Sequence, residues 1–364
     1  MSLKCGIVGL PNVGKSTLFN ALSNATAESA NFPFCTIDPN VGLVTVPDER
    51  LKKLAEIAGS ANVLPATIEF VDIAGLVKGA SEGKGKGNAF LSHIREVDLI
   101  IHVVRCFDDD DIIHVEGDVN PERDITIIED ELILKDLESV EKRVDTLKNQ
   151  SKGGDKGFKA QLAVAERLRE HLENGNSARR FEATDDEKIA YKDLFLLSSK
   201  PVLYACNVGE EDLESGNAYV DEVKGIAEKF DDEVVMFCAK IEAEIAELDE
   251  DEKEMFLEEL GVSSAGLDRL IKAAYAELGL ITYFTAGPKE ARAWTIKKGT
   301  KAPGAAGVIH TDFERGFIRA ETTAYEDYVA FNGEKGAKEA GKMRQEGKEY
   351  VVNDGDVMLF RFNV

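Results

Sequence analysis

The eight residues from Gly9 to Ser16, Gly-Leu-Pro-Asn-Val-Gly-Lys-Ser, combine the residue types that bind nucleotide phosphates. The glycines allow backbone N–H groups to turn inward onto phosphate oxygens. Lys15 can reach the β- and γ-phosphates, and the hydroxyl of Ser16 is a ligand for Mg²⁺. This spacing predicts a site for a nucleoside triphosphate and its magnesium ion.

A phosphate-binding loop needs a strand before it and a helix after it. Residues 3–8 form an apolar run typical of a buried parallel strand, and residues 17–22 have helical spacing. The helix would then direct the positive end of its dipole at the bound phosphates. Because all three parts stand in order, a chance glycine-rich turn is the weaker interpretation.

A second motif follows at residues 67–72, an apolar strand that ends in the carboxylate of Asp72. In P-loop NTPases such an aspartate holds the metal through water. Between the two motifs, Thr36 in a Phe-Pro-Phe-Cys-Thr segment is a candidate for the remaining metal position, where it would sense the γ-phosphate. The predicted metal ligands are Ser16, Thr36 and, through water, Asp72.

The segment after Asp72 is rich in glycine, with glycines at positions 75, 79, 83, 85 and 87. So many glycines prevent tight packing, which favours a mobile switch segment. A flexible linker is the alternative. In the switch interpretation, the backbone N–H of Gly75 contacts the γ-phosphate.

The composition limits the classes of protein that fit. The five cysteines are scattered and lack a Cys-x-x-Cys pair, which favours free thiols in a reducing compartment. No apolar stretch reaches the ~18 residues of a membrane span, and the N-terminus leaves no room for a signal peptide before the first strand. We therefore expect a cytoplasmic protein with no membrane partner.

The net charge of −24 argues against a general nucleic-acid-binding protein, because phosphate binding needs a basic surface. The acidic excess is concentrated in residues 201–280 and largely in 242–259, which we interpret as a solvated helical face. A basic run over 148–180 leaves local RNA contact open.

The sequence pattern divides the chain into three parts. Short apolar strands alternate with helices to about residue 121, as in a doubly wound α/β domain with a mostly parallel sheet. Two long amphipathic patterns joined at 151–154 then predict an antiparallel helical hairpin. Strand patterns return at 201–206 and 234–238, so the hairpin is an insertion. The predicted domains are 1–121 with 200–280, the inserted hairpin 122–199, and a small α+β module 281–364.

Several motifs together resemble the YchF-type branch of the Obg-related P-loop NTPases. They are Asn12–Thr17, Asn31–Ile37, Asp72–Leu76, the glycine-rich segment and Asn207–Glu210. The resemblance runs from end to end and implies that the C-terminal module is a ubiquitin-like TGS domain. It also implies a Mg²⁺-dependent NTPase that prefers ATP and associates with the ribosome or its large subunit. The nucleotide-binding residues then predicted are Gly9, Asn12, Val13, Gly14, Lys15, Ser16, Thr17, Phe32, Pro33, Phe34, Cys35, Thr36, Asn207, Val208 and Glu210.

Base recognition is where the chain departs from ordinary GTPases. Those proteins have Asn-Lys-x-Asp, whose aspartate accepts two hydrogen bonds from guanine. Here Asn207 is kept, while Val208 replaces the lysine and Glu210 the aspartate. The longer glutamate displaces the carboxylate, so ATP is the expected nucleotide and GTP is the alternative.

The group that orients the attacking water is harder to assign. Small GTPases have a glutamine directly after the Asp-x-x-Gly glycine, and this chain has Leu76 there. Asn12 occupies a position that some relatives use to bind K⁺, which makes K⁺ a candidate second ion. His114 follows an acidic run and is either catalytic or a surface histidine, which we favour; His102 lies mid-strand and is expected in the core. The candidate catalytic residues are Lys15, Thr36, Gly75 and His114.

The C-terminal module carries basic and aromatic residues that are candidates for RNA contact. They are Lys297, Lys298, Arg315, Phe317 and Arg319. The alternative is that the module is a scaffold that only packs against the other domains. We expect the protein to be a monomer.

Two other functions are considered for the whole chain. A nucleotide kinase is disfavoured because no arginine-rich lid is present, whereas a nucleotide-gated binding protein with negligible turnover stays open.

Overall fold

The computed structural model describes residues 3–27, 40–73, 87–248 and 250–363. Strands β1 to β12 are Lys4–Val8, Val41–Thr45, Asn62–Leu64, Thr67–Asp72, Leu99–Cys106, Val202–Val208, Glu233–Phe237, Leu280–Ala286, Glu290–Lys297, Phe317–Ala324, Arg344–Glu346 and Asp356–Phe362. Helices α1 to α14 are Lys15–Ala27, Glu49–Ala58, Gly87–Glu96, Pro121–Ser151, Lys156–Glu173, Asp185–Lys188, Ala218–Ala227, Ala239–Ile245, Glu250–Glu259, Gly266–Glu277, Ala302–Ile309, Thr311–Arg315, Tyr325–Ala330 and Glu334–Glu339. The chain forms two compact units, residues 1–42 with 69–270 and residues 43–68 with 271–364.

The first unit is built on a sheet with the strand order β2-β4-β1-β5-β6-β7. The pairs β4–β1, β1–β5, β5–β6 and β6–β7 are parallel. Every residue of β5 is buried, as expected for a central strand covered on both faces. The carboxyl ends of these strands meet at one edge, which is where ligands bind in open α/β sheets. The predicted α/β class is confirmed.

The helical hairpin consists of α4 and α5, which are separated by residues 152–155. Its interface is an apolar cluster that includes Val140 and Val144 of α4 and Leu168 of α5. At its base, the buried carboxylate of Asp136 accepts hydrogen bonds from the backbone N–H groups of residues 197 and 198, at 2.7 and 2.8 Å. The hairpin predicted from amphipathic spacing is therefore present.

The second unit contains a mixed sheet with the order β11-β10-β12-β8-β9-β3. Strands β8 and β9 are antiparallel, β12 pairs parallel with β8, and β10 is antiparallel to β12. Residues 43–68 belong to this unit, since β3 pairs with β9 and Arg50 forms an ion pair with Asp354 at 2.7 Å. The sequence pattern instead predicts that these residues belong to the 1–121 segment, because the three-residue β3 is too short to show which strand it pairs with.

Two residues differ from their sequence interpretations. Glu242, assigned to a solvated acidic face, is 2% exposed. Its carboxylate accepts hydrogen bonds from the backbone N–H groups of Gly266 and Leu267 at the start of α10, and its pKa is raised chiefly by burial. Phe317, proposed for RNA contact, is 5% exposed and packs in the apolar cluster of the second unit, so it cannot stack on a base.

The expectations for His102 and for the cysteines in the described ranges are confirmed. His102 lies in β5 and is buried, and burial lowers its pKa to about 3, with a smaller contribution from the charge of Arg179. The four cysteines in the described ranges are buried free thiols. Across those same ranges, no helix is both long enough and apolar enough to cross a membrane.

Candidate nucleotide-binding site

The loop between β1 and α1 has a backbone shape that only glycine permits at two positions. A Cβ at Gly9 would lie 2.9 Å from the carbonyl oxygen of Val103. Gly14 has φ of +93°, and a Cβ there would lie 2.3 Å from Nδ2 of Asn207. The first backbone hydrogen bond of α1 then runs from the N–H of Leu18 to the carbonyl of Gly14, at 2.9 Å. The local fold is therefore that of a phosphate-binding loop.

Lys15 and Asp72 meet at the carboxyl ends of two paired strands. Strand β1 leads into Lys15, β4 ends at Asp72, and Ile7 is the register partner of Asp72. The ammonium group of Lys15 donates to Oδ1 of Asp72, and Lys15 is only 9% exposed. The two charges that should bind triphosphate and its metal are thus paired with each other.

The donor groups beside this pair suit a magnesium ion. Ser16 is exposed at the first turn of α1, and the Asp72 carboxylate is half-buried at the end of β4. Hydroxyl and carboxylate oxygens are the hard ligands that Mg²⁺ prefers. Ser16 and, through water, Asp72 would hold the ion, whose charge would neutralise the phosphate oxygens.

Asn207, at the end of β6, connects two loops of the site and is 4% exposed. Its Nδ2 donates to the carbonyl of Val13 at 3.0 Å, and its Oδ1 accepts from the backbone N–H of Ala239 at 2.9 Å. The side chain therefore fixes the phosphate-binding loop relative to the loop after β7.

A cleft of ≈ 690 Å³ opens beside this loop, within the size range of small-molecule sites. Its walls come from the phosphate-binding loop and from the segments that follow β5, β6 and β7. Glu210 and Lys240 are exposed in the cleft, whereas Val208 is 2% exposed. The lining residues are Asn12, Gly14, Thr17, Phe107, Asp108, Asp109, Ile112, Asn207, Val208, Gly209, Glu210, Glu211, Cys238, Ala239, Lys240, Ala243, Glu244 and Glu247.

Arg105, near the end of β5, is a residue of the site that the sequence did not reveal. It is 2% exposed, and its guanidinium donates to the carbonyls of Phe107, Asp109 and Ile112 at 3.1, 3.2 and 2.8 Å. It also lies over the ring of Phe107, 4.6 Å from the centroid. The only sequence signal was an arginine inside an apolar strand, beside four aspartates that suggested a solvated loop.

Comparison with known proteins identifies the family. Residues 4–147 match a family model described as "50S ribosome-binding GTPase", and residues 280–363 match YchF-GTPase_C, described as "Protein of unknown function (DUF933)". The chain is 59% identical over 366 residues to the ribosome-binding ATPase YchF of Bacillus subtilis (strain 168), with 100% of both chains covered. The chain belongs to the YchF family. Its activity class is that of a P-loop nucleoside-triphosphate hydrolase.

The relationship extends to eukaryotic members of the YchF family. Obg-like ATPase 1 of Pongo abelii is 48% identical over 369 residues, covering 100% of this chain and 93% of that protein. The solved YchF GTPase of Schizosaccharomyces pombe superimposes with a TM-score of 0.89 at 42% identity, over 99% of this chain and 98% of that one. The predicted family resemblance is confirmed.

His114 differs from the surface histidine that we favoured. It is 6% exposed, and its Nε2 lies 2.8 Å from Oδ2 of Asp124, in the first turn of α4. The backbone N–H of Glu116 donates to Nδ1 at 3.1 Å, so the ring proton is on Nε2 and is donated to Asp124. The surface interpretation is wrong, because the imidazole anchors its loop to the hairpin. A catalytic role stays a prediction.

Asn12 has φ of +64°, and its side chain reaches the same loop of this YchF-family chain. Its Nδ2 donates to the carbonyl of Ile113 at 3.0 Å, which leaves Oδ1 as the atom that a K⁺ ion would require. The predicted K⁺ site stays a prediction. Several other predicted site residues lie outside the described residues and stay predictions: Phe32, Pro33, Phe34, Cys35, Thr36, Gly75 and the glycine-rich segment that follows.

Proposed function

We propose that the protein is a cytoplasmic switch that binds Mg·ATP in preference to GTP, hydrolyses it and associates with the ribosome according to the bound nucleotide. The observation that carries the base preference is that the exposed Glu210 lines the cleft, two residues after the buried Val208. The relatives' names, ribosome-binding ATPase YchF and Obg-like ATPase 1, agree with this proposal.

The preference for ATP follows from side-chain length. The carboxylate of a glutamate lies about 1.5 Å farther from the backbone than that of an aspartate, because the side chain has one more C–C bond. To accept two hydrogen bonds from guanine at once, the carboxylate must lie at the position that the aspartate of GTPases occupies. A displaced carboxylate costs ~1–3 kcal/mol, which is about ten- to hundredfold in affinity. Adenine makes no such demand and is read by backbone groups near Val208.

The pairing of Lys15 with Asp72 gives the switch its two states. When a triphosphate binds, its oxygens take the Lys15 ammonium, and the Asp72 carboxylate becomes available to the metal. Thr36 and Gly75 would then contact the γ-phosphate and lose that contact on hydrolysis. The segments that carry them would transmit the nucleotide state to the rest of the chain.

For the ribosome, we propose that the tip of the helical hairpin contacts RNA. Lys152, Lys156 and Lys159 are exposed there, on a chain whose net charge is otherwise strongly negative. A local basic patch on an acidic protein favours one binding orientation on a polyanion. In the C-terminal module, the exposed Lys297 and Lys298 are further candidates. Association as a monomer is the simplest form of this proposal.

The direct test is calorimetric titration of the purified protein with non-hydrolysable ATP and GTP analogues in Mg²⁺. Tighter binding of the ATP analogue supports the proposal, and tighter binding of the GTP analogue rejects its base preference. Co-sedimentation with ribosomes, with each nucleotide and without any, tests the second half. A variant with Lys152, Lys156 and Lys159 changed to Glu should lose co-sedimentation, whereas Lys52→Glu and Lys53→Glu, in exposed positions of α2, should retain it.

K⁺ is proposed as a second ion that stimulates hydrolysis through Asn12. Turnover should then be faster in K⁺ than in Na⁺, and Asn12→Ala should abolish the difference. An Asn12→Ala enzyme that keeps the full K⁺ effect rejects this part of the proposal.

A second candidate function is nucleotide-gated binding with negligible turnover. The observation that favours it is that both ring nitrogens of His114 are already hydrogen-bonded. Ribosome binding without measurable phosphate release would select this function.

A further inference from the structure

The guanidinium of Arg105 is hydrogen-bonded to three backbone carbonyls of the segment 107–112. These acceptors belong to the first, third and last residues of the segment. One buried side chain therefore fixes the backbone path of the whole segment. The stacking of the guanidinium on Phe107 adds a second restraint on the first residue. Segment 107–112 is therefore held from its inner side by Arg105.

The same segment forms one wall of the cleft. Phe107, Asp108, Asp109 and Ile112 line it, together with the segment that contains Glu210. This wall stands beside the phosphate-binding loop, to which it is tied by the hydrogen bond from Asn12 to the Ile113 carbonyl. The position of the wall thus sets the width of the cleft where the ribose and base of a nucleotide would bind.

A lysine could not replace Arg105 in this role. The planar guanidinium presents five N–H donors in a fixed fork, whereas an ammonium is a compact point charge on a flexible stem. An ammonium also has three donors, but they share one nitrogen, whereas each of these carbonyls is bonded by a different nitrogen of the guanidinium. A buried arginine that binds carbonyls is therefore a geometric device as well as a charge.

We propose that Arg105 is a positioning residue for the base and ribose of the bound nucleotide. Arg105 fixes the position of the 107–112 wall, against which the base and ribose bind, while the loop from Gly9 to Ser16 binds the phosphates. The proposal rests on the proposed use of the cleft as the nucleotide site, but it does not depend on whether ATP or GTP is preferred.

The test compares a nucleotide with its phosphate chain alone. Calorimetry measures binding of a Mg²⁺-complexed, non-hydrolysable ATP analogue and of Mg²⁺-complexed inorganic tripolyphosphate to wild type and Arg105→Lys. Loss of charge-assisted hydrogen bonds predicts at least about tenfold weaker nucleotide binding in the variant, with tripolyphosphate changed less than about twofold. Equal losses for both ligands, or no loss for either, overturn the proposal.

The matched control is Arg269→Lys. Arg269 also donates to backbone carbonyls, those of Met236 and Ser264 at 2.9 and 3.4 Å, but it does not line the cleft. This variant should bind both ligands like the wild type. If it shows the same selective loss as Arg105→Lys, the effect is a general consequence of loosening the unit, and the proposal fails.

A measurement on the wild type covers the case in which Arg105→Lys does not fold. Hydrogen exchange at the backbone amides of residues 107–113 should slow on addition of the nucleotide analogue but not of tripolyphosphate. Equal protection by both ligands overturns the proposal without any variant. If the wild type binds neither ligand, the cleft is not a nucleotide site and the proposed function itself fails.

Discussion

Arg105 and Asn207 are register partners across the parallel strands β5 and β6, at the ends that lead into the cleft. Both side chains are buried, and both bind the backbone of loops that bear on the site. Arg105 holds the loop after β5, whereas Asn207 links the phosphate-binding loop to the loop after β7. Two neighbouring polar residues at one level of the sheet therefore shape most of the cleft.

Asn207→Ala should weaken nucleotide binding and destabilise the fold. The substitution leaves the buried carbonyl of Val13 and the N–H of Ala239 without their partner, which costs about 1–3 kcal/mol for a buried group. Urea unfolding measures the change in the free energy of unfolding, and calorimetry measures nucleotide affinity. Asn149→Ala, in an exposed position near the hairpin tip, is the control and should stay within about 0.5 kcal/mol of wild type. Equal unfolding curves for Asn207→Ala and this control would contradict the linking role.

Lys15→Ala should reduce affinity for nucleotide and for tripolyphosphate alike. The ammonium is the predicted partner of the β- and γ-phosphates, and its removal also leaves Asp72 unpaired near the incoming negative charge. A loss of about a hundredfold for both ligands corresponds to a missing charged hydrogen bond plus repulsion. Lys4→Ala removes the lysine at the start of β1, which lies 3.8 Å from Glu69, and should have no effect. Retained tripolyphosphate binding in Lys15→Ala would show that the phosphates lie elsewhere.

Glu210→Asp should shift the base preference toward guanine. The shorter side chain moves the carboxylate back toward the position at which it can accept both guanine donors. The ratio of GTP to ATP affinity should rise by about tenfold. Glu211→Asp is the matched control, since it also lines the cleft and is exposed. If both variants change the ratio equally, or neither does, Glu210 does not read the base.

Much of this site could be predicted because its signals are local in sequence. Strand, loop and helix around Lys15 follow from spacing within about twenty residues, and Asp72 stands at the end of an apolar run. Arg105 could not be predicted, because its acceptors are backbone carbonyls that any residue supplies. The buried cap made by Glu242 was missed for the same reason, since a glutamate in an acidic run looks like a solvated one.

The domain boundaries were also hard to predict, because they depend on contacts between residues that are far apart in the sequence. Residues 46–66 lie in sequence between β2 and β4 of the first sheet, yet β3 pairs with β9 and Arg50 forms an ion pair with Asp354 of the second unit. Pairing between residues more than two hundred positions apart leaves no trace in a three-residue strand. The sequence likewise predicts RNA contact for Phe317, because its burial depends on cluster residues that are distant in sequence.

His114→Ala should slow single-turnover hydrolysis by about a hundredfold, the usual contribution of a positioned acid or base. Catalysis would require Nε2 of His114 to release Oδ2 of Asp124, from which it lies 2.8 Å. Rapid-quench measurement at saturating nucleotide separates the chemical step from binding. Asp124→Asn weakens the anchor but keeps the imidazole, so it should retain most of the rate. An unchanged rate in His114→Ala would make this histidine an anchor only.

Because of His102, the free energy of unfolding should decrease as the pH is lowered below 7. In the unfolded chain the imidazole binds a proton as the pH falls through its ordinary pKa of 6.5, whereas in the folded protein burial, together with the charge of Arg179, lowers that pKa to about 3. The unfolded state therefore binds more protons between these values, and stability is lost as the pH decreases, by at most about 1.4 kcal/mol per pH unit. Urea unfolding at several pH values between 7.5 and 4.5 measures the slope, and His102→Phe should reduce it. His93→Gln, which removes an exposed histidine, should keep the wild-type slope. A His102→Phe protein with the wild-type slope would mean that His102 does not set the pH dependence of folding, and that groups other than Asp136 and Glu242 do, since their raised pKa values give a slope of the opposite sign.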